Sequence, residues 1–178
     1  MEYKDYDTTS VILARTIGSV RTNIDLLNTI AKNQKADNDF WDLVFNSFYD
    51  LIIIDSFKLI DKKNLSLFSL IKEAKGITPE KFEELTNDYK ELQNYINEPE
   101  FNIIQHRHSQ KAHHSRKVNN SLPRYADLNQ IIDLLKKCES LIKKYNEWIK
   151  GEKYSINFNS NYAGGHKQLL EYVSKIIS

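Results

Sequence analysis

Cysteine occurs once in 178 residues, as Cys138. A single thiol excludes an internal disulfide and every multi-cysteine zinc pattern, and its place in a helical stripe (below) reads as a buried side chain. Proline occurs three times and glycine five times, so few positions force the chain out of regular structure. Long apolar runs are missing too: none exceeds the four residues of Leu51 to Ile54, far short of the roughly twenty residues that cross a bilayer. The first ten residues, MEYKDYDTTS, lack the basic start and apolar run of a signal peptide. The expectation is a cytoplasmic protein without a membrane segment, in a reducing compartment that suits a lone thiol. Charge of either sign is not in excess: 25 Lys and Arg face 24 Asp and Glu. The chain as a whole therefore gives no steering toward nucleic acid. Its length predicts a single domain over 1–178, with 152–178 as its C-terminal loop and helix.

What is present is a helical period, with apolar residues recurring at threes and fours almost throughout. A first helix is expected to start after Thr8, Thr9 or Ser10 and to run to about Asn33, with Ile17, Val20, Ile24, Leu27 and Ala31 on one face. Asp37, Asn38 or Asp39 can cap a second, which is apolar nearly all round from Phe40 to Ile60. That reads as a central helix covered on most sides by neighbours or by a partner subunit. Its run Ile52 to Ile54 is not a strand, because the pattern continues without turn punctuation and no partner strand is visible. A short helix from about Ser66 to Lys75 ends at Gly76. Thr78-Pro79-Glu80 restarts the chain as a helix to about Asn97, with Phe82, Leu85, Tyr89, Leu92 and Ile96 as its inward stripe. The longest regular helix is predicted from Tyr125 to Lys150, its seam formed by Leu128, Ile131, Leu135, Cys138, Ile142, Tyr145 and Ile149. A last helix is expected from Lys167 to Ile177. The fold class is all-α, a bundle of about five to seven helices.

Between the last two long helices lies FNIIQHRHSQKAHHSRKVNNSLPR, residues 101–124. It holds four of the five histidines, His106, His108, His113 and His114, with Arg107, Lys111, Arg116, Lys117 and Arg124, and no acid. Without these five cations the rest of the chain has 20 basic residues against 24 acidic ones, so the segment is a basic island, which suggests a local anion or phosphate site. Phe101, Ile103 and Ile104 are expected to pack inward at its start. On an ideal helix, His114 returns to within about 20° of Arg107 while His113 stands roughly 120° away, unless the helix ends near Lys111 and lets His113 swing over. In either case an arginine and an imidazole can meet. That pair suits phosphoryl chemistry on RNA, with the imidazole moving a proton near neutral pH and the guanidinium holding the non-bridging oxygens. His106 and His113 share a face, but five cations and no acid argue against a divalent ion, so no metal and no cofactor is expected.

Arg107-His108-Ser109-Gln110-Lys111-Ala112-His113 resembles the signature of the HEPN superfamily: an arginine, a polar residue, a short spacer and a histidine commonly preceded by alanine. Ala112 favours His113 over His114 as the motif histidine. The stretch from Leu59 to Leu67, LIDKKNLSL, one helix pair earlier, is similar to the HEPN branch related to the abortive-infection protein AbiU, and the helix order agrees from Thr8 to Lys150. The resemblance implies a homodimer with two motif copies facing across a cleft, and a metal-independent endoribonuclease of toxin or antiviral type. Arg107 and His113 would be catalytic, with His108 at the polar position and Lys111 and His114 in support. Arg116, Lys117 and Arg124 would bind RNA, and an antitoxin or regulatory protein would be a further partner. Products would carry a 2′,3′-cyclic phosphate and a 5′-hydroxyl. Some toxin-type relatives have a modifiable tyrosine two residues after the motif histidine; here that residue is Ser115.

The competing reading is a helical module of the same fold that binds RNA or a partner protein and cuts nothing. Elsewhere, packing is the simpler account. Trp41, Phe45, Phe48 and Tyr49 fit a core or dimer interface, Tyr145 and Trp148 fit packing, and His166 fits a helix start. Tyr154, Phe158 and Tyr162 can stack on bases but more often pin a loop to a bundle. Gly164-Gly165 lacks the spacing of a phosphate-binding fingerprint.

Overall fold

The computed structural model describes residues 6–33, 39–62, 65–74, 76–98, 101, 103, 127–150, 158, 171 and 175. Among these the chain forms five helices and no strand: α1, Tyr6–Asn33; α2, Asp39–Ile60; α3, Leu67–Glu73; α4, Pro79–Ile96; and α5, Leu128–Lys150. The all-α expectation holds, and Ile52 to Ile54 lie within a helix.

Helix α1 starts earlier than its hydroxyl residues predict. Thr9 and Ser10 are buried inside it instead of capping it, and the Thr9 hydroxyl donates to Glu73 on α3 at 3.5 Å. A tertiary partner has taken the hydroxyl that a local cap would have used. Leu13, Ile17, Val20, Ile24, Leu27 and Ile30 form its buried face, whereas Ala31 is exposed. α1 and α2 pack as an antiparallel pair, with the Ser19 hydroxyl donating to Asp55 at 3.2 Å on either side of their short connection. Tyr49, Ile52, Ile53, Leu59 and Ile60 are the buried residues of α2. Among the described residues its cover is incomplete: Phe40, Leu43 and Leu51 are 59%, 66% and 45% exposed.

Ser66 precedes α3 in extended conformation, and Gly76 beyond its end has φ +95°, the left-handed stop its position foretells. Although short, α3 touches all four other helices and buries Leu67, Leu70 and Ile71. α4 begins as its sequence dictates: the Thr78 hydroxyl accepts the Lys81 N–H at 3.5 Å and Pro79 takes the first turn. Leu85, Tyr89 and Leu92 face inward; Phe82 is not buried with them and is 42% exposed. α5 starts at Leu128, later than its periodicity alone indicates, because Asp127 supplies the cap and its carboxylate accepts the Asn129 N–H at 2.8 Å.

α5 carries the seam. Ile131, Leu134, Leu135, Cys138, Leu141, Ile142 and Tyr145 are buried against α1, α3 and α4. Each such aliphatic contributes about 1.5–3 kcal/mol relative to leaving it in water. Ion pairs edge the seam. Arg21 of α1 meets Glu139, which also takes Lys143 at 2.7 Å. On the other side Lys144 meets Asp88 and, at 2.9 Å, Glu84 of α4. Phe158 is buried in the same core with the Lys143 ammonium 5.4 Å from its ring. Tyr154 and Tyr162 lie outside the described residues, and of the predicted last helix only Glu171 and Lys175 are described, both helical and exposed.

Candidate functional site

Arg107, His108, Lys111, His113, His114, Arg116, Lys117 and Arg124 all lie outside the described residues. The structure shows the two feet of the segment that carries them. At the first, α4 ends at Ile96, and the Phe101 N–H donates to the Glu98 carbonyl at 2.9 Å. Phe101 and Ile103 are buried, as their place at the start of the basic island predicts; Ile104 is outside the described residues. At the second, Asp127 caps α5 and its carbonyl accepts the Ile131 N–H at 3.4 Å.

One side chain touches both feet. The Tyr95 ring packs against Phe101, centroids 5.1 Å apart and tilted by 60°, while its hydroxyl donates to the Gln130 carbonyl at 3.2 Å. The Lys137 ammonium stands 5.2 Å from the same ring. Burial, joined by the negative charges of Asp133, Glu98 and Asp127, pushes the Tyr95 hydroxyl up from the ordinary tyrosine value, which keeps it a donor. Sequence reasoning passes over Tyr95. A tyrosine beside an inward stripe reads as packing, and its acceptor is a main-chain carbonyl that no residue type announces.

The remaining described surface offers less chemistry. A groove of about 240 Å³ between α4 and α5 is lined by Asp88, Glu91, Leu92, Lys137, Ser140, Leu141 and Lys144. Its two acids and two lysines balance, and Asp88 is bonded to Lys144. The hydrogen bonds it donates to Asp88 and Glu84 push the Lys144 ammonium up, so it stays charged and is not a base near neutral pH. Cys138 is fully buried, which pushes its thiol far above the ordinary value and makes it inert. Among the described residues no group of three or more His, Cys, Asp or Glu side chains is placed to hold a metal ion, and no helix is long and apolar enough to cross a membrane. All five histidines fall outside the described residues, so an imidazole working near neutral pH has to come from the segment between Ile103 and Asp127 or from His166.

No curated protein and no solved structure matches the chain. The HEPN family described as AbiU2 matches residues 27–163. That span runs from the last turns of α1 through α2, α3, α4 and α5, and it includes both LIDKKNLSL and the Arg107-to-His113 stretch. With well over half of its length matched, this chain belongs to the AbiU2 family of HEPN proteins.

Proposed function

We propose that this protein is a metal-independent endoribonuclease of the abortive-infection or toxin kind. The observation that carries the reading is the family match, which spans an Arg107-to-His113 stretch of HEPN pattern within a segment of five cations and no acid. In the proposed reaction the ribose 2′-oxygen bonds to the adjacent phosphorus and the bond from phosphorus to the 5′-oxygen breaks. His113 takes the 2′-hydroxyl proton or supplies one to the departing oxygen, and the Arg107 guanidinium holds the non-bridging oxygens as charge gathers on them. His108, Lys111 and His114 orient the pair or the phosphate, and Arg116, Lys117 and Arg124 hold the RNA backbone. The reading places the protein in the cytoplasm as one domain over residues 1–178, under the control of an antitoxin or regulatory protein. It also calls for a homodimer that joins two copies of the motif, and the exposed Phe40, Leu43 and Leu51 of α2 support one.

The test is cleavage of RNA by the purified protein in excess chelator, with Arg107→Ala and His113→Ala alongside. Each substitution is expected to lower the rate by at least about a hundredfold, from the usual worth of general acid–base and charge-stabilising groups. Products are expected to end in 2′,3′-cyclic phosphate and 5′-hydroxyl. Loss with His114→Ala and none with His113→Ala moves the proton-transfer role by one residue. RNA that is bound and left intact by the wild-type chain replaces the enzyme with a binding module.

A further inference from the structure

We infer that Tyr95 is a positioning residue for the segment between Ile103 and Asp127, joining its two feet through a ring contact to Phe101 and a hydrogen bond to the Gln130 carbonyl. Its functional consequence rests on the reading that this segment does the chemistry; the tie itself does not.

Phe101 and Gln130 are 29 positions apart in sequence, and Tyr95 contacts the described residues at both ends of the stretch between them. A chain of that length can take many courses, and fixing both ends on one side chain removes much of that freedom. The two halves of the tie differ in kind. The ring contact to Phe101 fixes distance with little direction, whereas the bond from the hydroxyl to the Gln130 carbonyl sets how α5 begins relative to α4. Asp127 fixes the same end from its own side through the Asn129 N–H and the Ile131 N–H. The chain therefore enters the segment from a buried Phe101–Ile103 step and leaves it at a capped helix start, with Tyr95 against both. A group that must meet a phosphate and a partner side chain within a fraction of an ångström depends on such support from outside the reacting set.

Tyr89 supplies the matched comparison. It lies on the same helix, is buried, stacks on Phe68 at 6.3 Å, and its hydroxyl accepts from Gln93 of α4 itself at 3.2 Å. Its hydroxyl bond stays within one helix, where that of Tyr95 reaches α5.

The segment offers trypsin five sites, at Arg107, Lys111, Arg116, Lys117 and Arg124, so its anchoring can be read without any assay on RNA. Tyr95→Phe removes only the hydrogen bond. It is expected to speed tryptic cutting between Arg107 and Arg124 severalfold while leaving the helical circular dichroism and Tm close to wild type, and Tyr95→Ala is expected to speed it further. Tyr89→Phe is expected to leave cutting there unchanged. On RNA, Tyr95→Phe is expected to lower kcat severalfold with little change in KM, as for a misplaced catalytic pair with an intact binding surface. Wild-type cutting rates in both Tyr95→Phe and Tyr95→Ala overturn the inference, as does an equal effect from Tyr89→Phe. A wild-type chain that cleaves no RNA while the proteolysis pattern holds overturns the ribonuclease reading and leaves the tie in place.

Discussion

Helices α5 and α2 are almost equal in length, 23 and 22 residues, yet they use their apolar residues differently. α5 places Ile131, Leu134, Leu135, Cys138, Leu141, Ile142 and Tyr145 in the core and turns Lys136, Lys137, Ser140, Lys143 and Glu147 to solvent. One chain accounts for its whole pattern. α2 buries Tyr49, Ile52, Ile53, Leu59 and Ile60, but Phe40, Leu43 and Leu51 remain in solvent beside the half-buried Trp41 and Val44. Its neighbour α1 covers only one side of it. Large apolar residues exposed in a row along a helix commonly mark an interface; the difference separates a helix whose apolar face is buried by its own chain from one that leaves part of that face in solvent.

The widest test of that contrast uses consecutive residues of α2. Ile52 is fully buried and Leu51 is 45% exposed. Ile52→Ala is expected to cost about 2–5 kcal/mol of unfolding free energy, the range for opening a cavity in a packed core. Leu51→Ala is expected to cost less than about 1 kcal/mol in dilute solution, near the scale of surface substitutions. Urea titrations of both variants decide it, and equal losses would remove the distinction between the two faces. If α2 is also a dimer contact, any further loss in Leu51→Ala grows with protein concentration.

A smaller effect is expected where the exposed face is charged. Leu43, the most exposed of the three at 66%, replaced by Asp leaves the core untouched and puts a carboxylate where a partner's apolar surface would lie. The dimer dissociation constant is expected to rise about thirtyfold, corresponding to roughly 2 kcal/mol at an interface hot spot. Sedimentation of wild type and Leu43→Asp over the same concentration range measures it. A dimer that persists unchanged would place the dimer contact elsewhere, and a wild-type monomer would remove the dimer.

These contrasts also show what a sequence can and cannot convey. The start of α4 was legible because its signal is local: Thr78, Pro79 and Glu80 carry the cap, the fixed φ and the first-turn acid within three residues. The α5 seam and the inward Phe101 and Ile103 were legible because burial leaves a period in the residue types. The start of α1 was not, since Thr9 looks like a cap until Glu73, 64 positions away, takes its hydroxyl. Nor was the exposed half of α2, because a leucine carries no mark of whether its cover comes from its own chain or another. At the proposed site, Arg107 and His113 come from residue type, spacing and the resemblance; the family match spans them, and their placement lies outside the described residues. Tyr95 could not, because its two contacts come together only after α4 and α5 have packed.

The smallest effect belongs to the polar edge that holds α5 against α1. Burial by itself raises the Glu139 carboxyl, but the hydrogen bonds from Lys143 and Arg21 outweigh it and hold the group below the ordinary glutamate value. A carboxyl more acidic in the folded chain than in the unfolded one adds stability that is present above its unfolded pKa, about 4.3, and is lost as pH falls through its folded value. Glu139→Gln keeps the shape and removes the charge. It is expected to cost about 1 kcal/mol or less at neutral pH, because the Arg21 and Lys143 side chains are 37% and 61% exposed and solvent screens both pairs. The stability curves of variant and wild type should then draw together as pH falls below the ordinary glutamate range. The exposed Lys136–Asp133 pair, at 2.8 Å on the outer face of α5, is the control, and Asp133→Asn is expected to change stability by less than about 0.5 kcal/mol. If Glu139→Gln instead shows a constant offset from neutral to acid pH, its loss lies in packing against Arg21 and not in charge. The polar edge of α5 would then act as an extension of its apolar seam, and the contrast with α2 would rest on burial alone.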